Sequence, residues 1–282
     1  MPQKPISFFS YVGGKFYMLK YILPLIPEHK YYIEPFGGSG KVLLNKKPSL
    51  IEVYNDIDWQ ISNLFYVVTF HFEEFYHKVS NLVYSRVLYR EFYKDLRTIT
   101  SQPATELKLG DVDRAVKTYF THANAFSGKP NNIAFANETN RGLIFYRKIP
   151  QLSAIHERLK NVFIECTDFT VLIKRFLDKK EAFFYFDPPY LTKDQYYQNG
   201  FTLEQHKNLL NLIKQIKGKW LLSSYTNELY EAELKDYYRL DIPNIPKYSF
   251  GMNEANKIKN QTKPRATEIL WANYPLDSCR LL

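Results

Sequence analysis

The chain has 282 residues, enough for one large domain or for a core domain carrying a substantial insertion. Its two cysteines, Cys166 and Cys279, lie far apart and make neither a disulfide framework nor a zinc pattern, which fits a reducing cytoplasm. Lys plus Arg total 38 against 29 Asp plus Glu, and this +9 balance points first to a polyanionic partner and second to an anionic membrane surface.

No apolar run has the length of a bilayer span; "LFYVVTFHF" is short and carries a histidine. The opening "MPQKPISFFSYVGG" lacks a basic region followed by an apolar core, so a secretory signal is not expected. Aromatic residues reach 17 %, a high share that is mostly core packing, although exposed tyrosines could also stack on bases.

In chain order, "YYIEPFGGSG" (31–40) predicts a short strand ending in a glycine-rich turn, and "KVLLNKK" the helix after it. "SLIEVYNDID" (49–58) predicts a second strand ending in acids, then one long helix over "WQISNLFYVVTFHFEEFYHKVSNL" (59–82). Such a start favours an α/β fold with a largely parallel sheet. From about 70 to 150 the pattern changes. The helical "SRVLYREFYKDLRTI" and "DVDRAVKTYFTHA" give way to the polar "NAFSGKPNNIAFANETNRG". The triplets "IAF" and "LIF" flank "ANETNRG" and predict a hairpin with an exposed tip.

Alternation then resumes. "QLSAIHERLK" predicts a helix, "VFIEC" a strand, "FTVLIKRFL" a helix and "FFYF" a strand. "TLEQHKNLLNLIKQI" is a helix opened by an N-cap threonine, and "KWLLSS" a further strand. The middle block therefore reads as an insertion between two halves of one sheet. The segment 247–265 carries Lys247, Lys257, Lys259, Lys263 and Arg265 against Glu254, and reads equally as a solvated surface loop or a phosphate contact.

Two constellations carry chemistry. The turn Glu34, Pro35, Phe36, Gly37, Gly38, Ser39, Gly40 lets a ligand approach the backbone, although a tight turn with no ligand fits it as well. No Lys-Ser/Thr pair closes it as in a phosphate loop. Asp56 ends the second strand, where a carboxylate can accept ribose hydroxyls; Asp58 competes for that role but also suits a helix N-terminus. An adenosine-bearing cofactor without phosphate, such as S-adenosylmethionine, meets both conditions. The second constellation is "FFYFDPPY" (183–190), a strand stopped by two prolines at the sheet end where ligands bind. Asp187 and the carbonyl of Pro188 can accept both N–H bonds of an exocyclic amine, Pro189 stiffens the turn, and Tyr190 can stack on the ring bearing that amine.

These motifs together resemble the Dam-like, alpha-group DNA adenine-N6 methyltransferases, over about residues 8–65 and 160–274. "FFSYVGGK" is similar to the family's N-terminal cofactor motif, placing Tyr11, Val12, Gly13, Gly14 and Lys15 at the donor. "EPFGGSG" matches the cofactor loop, "YNDID" the acidic motif, and "ECTDF" the segment walling the adenine, which implies Asp168 and Phe169. "FDPPY" matches the catalytic motif, with Asp187 also beside the donor, and "KPRATEILWANY" the closing strand.

The resemblance implies an α/β, Rossmann-like S-adenosylmethionine-dependent methyltransferase sheet built from 1–69 and 151–282. The inserted, mainly helical 70–150 would be the target recognition domain. It implies methyl transfer to adenine N6 of double-stranded DNA with the base flipped out, no metal and no membrane, and a monomer is the economical expectation. Lys15 would contact the flipped base or the cofactor region, or simply form a salt bridge. Asn131, Asn132, Asn137, Asn140 and Arg141 suit adenine and guanine edges, although an Asn-rich tip is also ordinary turn chemistry. Lys257, Lys259, Lys263 and Arg265 suit phosphates. A cytosine-N4 or RNA base methyltransferase, a protein methyltransferase, and an inactive DNA-binding protein of this fold are the competing readings.

Overall fold

The computed structural model describes residues 5–9, 15–99, 108–126, 129–133, 141–191, 201–246 and 265–276. Seven strands form one sheet: β1 (Tyr31–Glu34), β2 (Ile51–Asn55), β5 (Val162–Glu165), β6 (Ala182–Phe186), β7 (Lys219–Tyr225), β8 (Tyr238–Pro246) and β9 (Arg265–Ala272). Their spatial order is β5-β2-β1-β6-β7-β9-β8. The first five run parallel, and β9 is antiparallel to both β7 and β8. This is the Rossmann-like sheet expected from the sequence. The strand order reverses between β1 and β6, and such a switch point opens a crevice at the strands' carboxyl ends.

Alternating side chains bury both faces, which explains why β6, AFFYF, is apolar throughout. Tyr32, Tyr54, Phe183 and Tyr185 join one core, together with α3 (Trp59–Phe70) and α8 (Gln151–Leu159). Ile33, Val53, Phe184 and Phe186 join the other, with α9 (Phe169–Phe176) and α10 (Leu203–Ile213). Helix α10 begins with the expected Thr202 cap, and the Gln205 side chain returns a bond to the Thr202 N–H, completing a capping box.

The predicted helix over 59–82 is two helices, α3 and α4 (Phe72–Ser80). His71 leaves helical backbone at φ −129°, ψ 36°, and the chain bends there. The bend stacks Phe72 on His156 at 4.3 Å and sets buried Phe75 against Tyr119. Helices α5 (Arg86–Ile99) and α6 (Val112–Ala123) form as predicted. Buried Asn63 of α3 anchors the start of α6: its Oδ1 accepts the Gly110 and Asp111 N–H groups, and its Nδ2 donates to the Asp111 carbonyl.

The hairpin forms elsewhere than predicted. It pairs β3 (Ala125–Phe126) with β4 (Lys129–Ile133), so Asn131 and Asn132 lie in a strand. The triplet Leu143, Ile144, Phe145 belongs to α7 (Arg141–Lys148). There Phe145 buries against Phe120 at 5.2 Å while Leu143 and Ile144 stay exposed, so packing overrides the local β preference.

Candidate active site

The loops after β1, β2, β5 and β6 leave the same end of the sheet. The turn after β1 depends on two glycines. Gly40 holds φ +61°, and a Cβ at Gly37 would stand 2.2 Å from the Tyr54 ring. Tyr54 stacks on Phe65 at 3.9 Å and its hydroxyl donates to the Gly38 carbonyl at 2.6 Å, so the turn lies against an aromatic floor.

Asp56 braces the same turn. Its Oδ2 accepts the Gly38 N–H at 2.7 Å and its Oδ1 the Asp58 N–H at 2.8 Å. A carboxylate has acceptor sites for about two further donors, which is the capacity a ribose diol requires. Burial pushes its pKa up to about 6 against those two N–H groups. Exposed Asp58 is instead the N-cap of α3, accepting the Gln60 N–H at 2.9 Å. Glu34 is turned inward: its Oε2 accepts the Tyr32 hydroxyl at 2.7 Å and the Leu43 N–H at 3.1 Å, tying β1 to α2 (Lys41–Asn45). Burial pushes this carboxyl up to about 8.

After β5, Asp168 caps α9 by accepting the Thr170 N–H and hydroxyl, both on Oδ1. Phe169 then meets Phe36 at 5.3 Å and Phe201 at 5.3 Å, and Phe36 meets Phe201 at 5.4 Å. Three rings beside an exposed carboxylate can wall a flat heterocycle bearing an amino group. With the glycine turn and Asp56, these residues fit S-adenosylmethionine. Pro35, Ser39 and Gly40 are buried in the same region.

Residues missed by the sequence reading hold this end together. Buried Asn55 donates to the Pro35 carbonyl at 2.9 Å and the Thr167 carbonyl at 3.1 Å, and accepts the Thr167 N–H at 2.9 Å. Three strand ends thus meet at one amide. Phe201 was legible only as the apolar residue before the Thr202 cap.

The second constellation sits one strand away. Asp187 follows β6, and Lys15 Nζ stands 2.7 Å from its Oδ1 and 3.9 Å from Glu268 Oε2 of β9. The ammonium also lies over the Tyr190 ring at 4.6 Å. Burial opposes the charge on Lys15, but Asp187 and Glu268 together hold its pKa above the ordinary lysine value. Burial raises both Asp187 and Glu268, with Lys15 pulling each back. The Tyr190 hydroxyl reaches Glu268 Oε2 at 3.4 Å, and Tyr225 packs edge-on to its ring at 4.5 Å. Pro188 is buried and Pro189 exposed. Glu268 was overlooked; its signal was a lone acid in the apolar "EILWA".

Tyr11, Val12, Gly13, Gly14, Asn137, Asn140, Lys257, Lys259 and Lys263 lie outside the described residues. Arg141 opens α7, and exposed Arg265 donates to the Asn244 carbonyl at 2.9 Å. Among the described residues no three His, Cys, Asp or Glu side chains stand together as metal ligands, and no helix is long and apolar enough to cross a membrane.

A switch-point crevice with a glycine turn, a strand-end acid and an Asp-Pro-Pro-Tyr turn is the arrangement expected of an amino-group methyltransferase. A family model of the D12 class N6 adenine-specific DNA methyltransferases matches residues 11–246, and the chain belongs to that family. It is 25 % identical over 222 residues to the DNA adenine methylase of Escherichia coli (strain K12), covering 75 % of this chain and 77 % of that protein. The DNA adenine methylase of Salmonella typhi is 24 % identical over 224 residues, covering 76 % and 77 %. The DNA N-6-adenine-methyltransferase of Escherichia phage P1 is 26 % identical over 225 residues, 73 % of this chain but 28 % of that longer protein. Membership makes DNA the substrate, adenine N6 the acceptor and S-adenosylmethionine the methyl donor, in preference to the cytosine-N4 and RNA readings.

Proposed function

We propose that the chain is a site-specific methyltransferase of duplex DNA that receives a flipped adenine between Asp187 and Tyr190. The observation carrying this reading is the adjacency of β1 and β6 at the switch point. With the glycine turn following β1 and Asp187 following β6, this adjacency supports reading the first as the donor side and the second as the acceptor side.

When bound, S-adenosylmethionine supplies an electrophilic methyl group. Its contacts are assigned to Glu34 through Gly40, Asp56, Asp168, Phe169 and Asp187, with Tyr11, Val12, Gly13, Gly14 and Lys15 from the N-terminal motif; Phe201 is added here. The inward position of Glu34 makes its share indirect, through the seating of the turn. Asp187 and the Pro188 carbonyl accept the two N–H bonds of the amino group and draw its lone pair out of the ring. Methylation leaves that nitrogen one proton in excess, and the carboxylate it already hydrogen-bonds takes it. Flipping costs a few kcal/mol, and stacking on Tyr190 offsets about 1–3 kcal/mol of it.

Residues 70–150 are assigned as the target recognition domain on a catalytic domain of 1–69 and 151–282. Support comes from α4 to α7 and the hairpin, which interrupt the strand alternation between β2 and β5. Asn131, Asn132, Asn137, Asn140 and Arg141 are its candidate base readers, and Lys257, Lys259, Lys263 and Arg265 its partners on phosphate. Arg265, already bonded to Asn244, retains guanidinium donors for such a contact. A metal-independent monomer of the cytoplasm completes the reading.

The test is incubation with labelled S-adenosylmethionine and unmethylated duplex DNA, followed by nucleoside analysis and single-molecule sequencing. N6-methyladenine at one short motif is expected. Donor binding without DNA methylation would transfer the reading to RNA.

A further inference from the structure

Lys15 stands where the substrate must go. Its Nζ holds Asp187 Oδ1 at 2.7 Å and covers the Tyr190 ring at 4.6 Å. An amino group bound by Asp187 needs that carboxylate, and a base stacked on Tyr190 needs a ring face. Ammonium and base therefore compete for one place.

The Lys15 side chain is only 3 % exposed, so solvent offers it no ready alternative partner. Glu268 does: its Oε2 is 3.9 Å from the same Nζ, on a side chain 7 % exposed. Among the described residues, Tyr190, Tyr225 and Lys41 also face this cation. One cation thus sits between two carboxylates, close to the first and a short shift from the second. Stripping a buried ammonium of every partner is strongly unfavourable, whereas passing it between neighbouring carboxylates keeps its charge paired.

We propose that Glu268 is a positioning residue, the counterion that receives Lys15 when the target amino group takes over Asp187. The role rests on the methyltransferase reading above. Lys15 keeps Asp187 ionised and in place while no base is present, and Glu268 makes its departure cheap. Without Glu268, Lys15 loses that second carboxylate and holds Asp187 against the base.

The test is single-turnover methylation of unmethylated, polymerase-amplified DNA at saturating S-adenosylmethionine, with the full chain as wild type, E268Q, K15M and K15M/E268Q. E268Q is expected to slow the step by about tenfold or more, with DNA and donor affinities unchanged. In the K15M background, adding E268Q should alter the rate less than about twofold, because no cation remains to be received. E268D keeps the charge and should recover most of the lost rate, and E268A, which also removes the carboxylate, serves in place of E268Q if the latter does not fold. Wild-type rate in E268Q, equal slowing in both backgrounds, or an E268D as slow as E268Q would each overturn the role. Absence of methylation by the wild type would instead overturn the reading beneath it, before any variant is compared.

Discussion

The carboxylate of Asp56 accepts the backbone N–H of Gly38 across 2.7 Å, so the acid ending β2 holds in place the turn that ends β1. Replacing Asp56 with Ala removes this brace together with the ribose acceptors. Donor affinity should fall about 10–100-fold, as for loss of charged hydrogen bonds, and calorimetric titration with S-adenosylmethionine measures it. An unchanged dissociation constant would exclude the ribose role. Because burial sets Asp56 at about 6, wild-type affinity should also weaken as pH drops through 6. In Asp56→Asn that dependence should vanish.

Asp187→Ala separates chemistry from binding. Removing one preorganised hydrogen-bonding group typically costs about 10²–10³-fold in turnover, and that loss is expected here while much of the donor binding persists. Single-turnover rates read it; an Ala variant with normal turnover would leave the clamp without a role.

Glu34 gives a stability prediction. Its carboxyl lies at about 8 in the folded protein against an ordinary 4.5, so the folded state binds more protons between those values. The contribution of Glu34 to stability then falls as pH rises from about 4.5 to about 8. Glu34→Gln keeps an acceptor for Tyr32 and Leu43 and cannot ionise. Melting temperatures at pH 5, 6.5 and 8 should show a flatter profile in the variant, with its advantage largest at pH 8. Parallel profiles for the two proteins would contradict the assignment.

At the opposite end of β2, Glu52 is 1 % exposed and binds Lys46 at 2.5 Å and Arg158 at 2.6 and 2.9 Å. Glu52→Gln leaves two cations facing a neutral amide. Breaking such a buried network costs about 3–5 kcal/mol, visible as a lower urea midpoint. A midpoint within error of wild type would mean that the pairing contributes nothing.

Replacing Lys257, Lys259 and Lys263 together should weaken DNA binding equally on all sequences. The slope of log affinity against log salt should flatten by about 0.9 for each phosphate that is no longer neutralised. A sequence-dependent loss would instead make these lysines readers of bases.

Much of this architecture was legible in the sequence, for physical reasons. Strand β6 is buried on both faces and so is apolar throughout, then stops at Pro188 and Pro189 because neither can donate to a ladder. The glycine turn declares itself because no other residue takes the Gly40 backbone beside Phe65. The break at His71 was not legible, because both flanking segments keep helical spacing and the bend answers to His156 and Tyr119, distant in sequence. Phe145 joined a helix because Phe120 buries it, which no local pattern in "LIF" encodes. Glu268 and Asn55 were missed for a related reason: each acquires its meaning from partners on other strands.

The pairing of Lys15 with Asp187 and Glu268 also bears on how the protein comes into being. These groups are far apart in sequence, and β1 finds β6 only after the whole intervening stretch has been made. Contacts of such long sequence separation form late and slowly. During synthesis Lys15 must wait for β9, the last strand of the sheet, to leave the ribosome before its second carboxylate exists. The nascent chain can therefore assemble the glycine turn well before the ion cluster around Lys15 is complete.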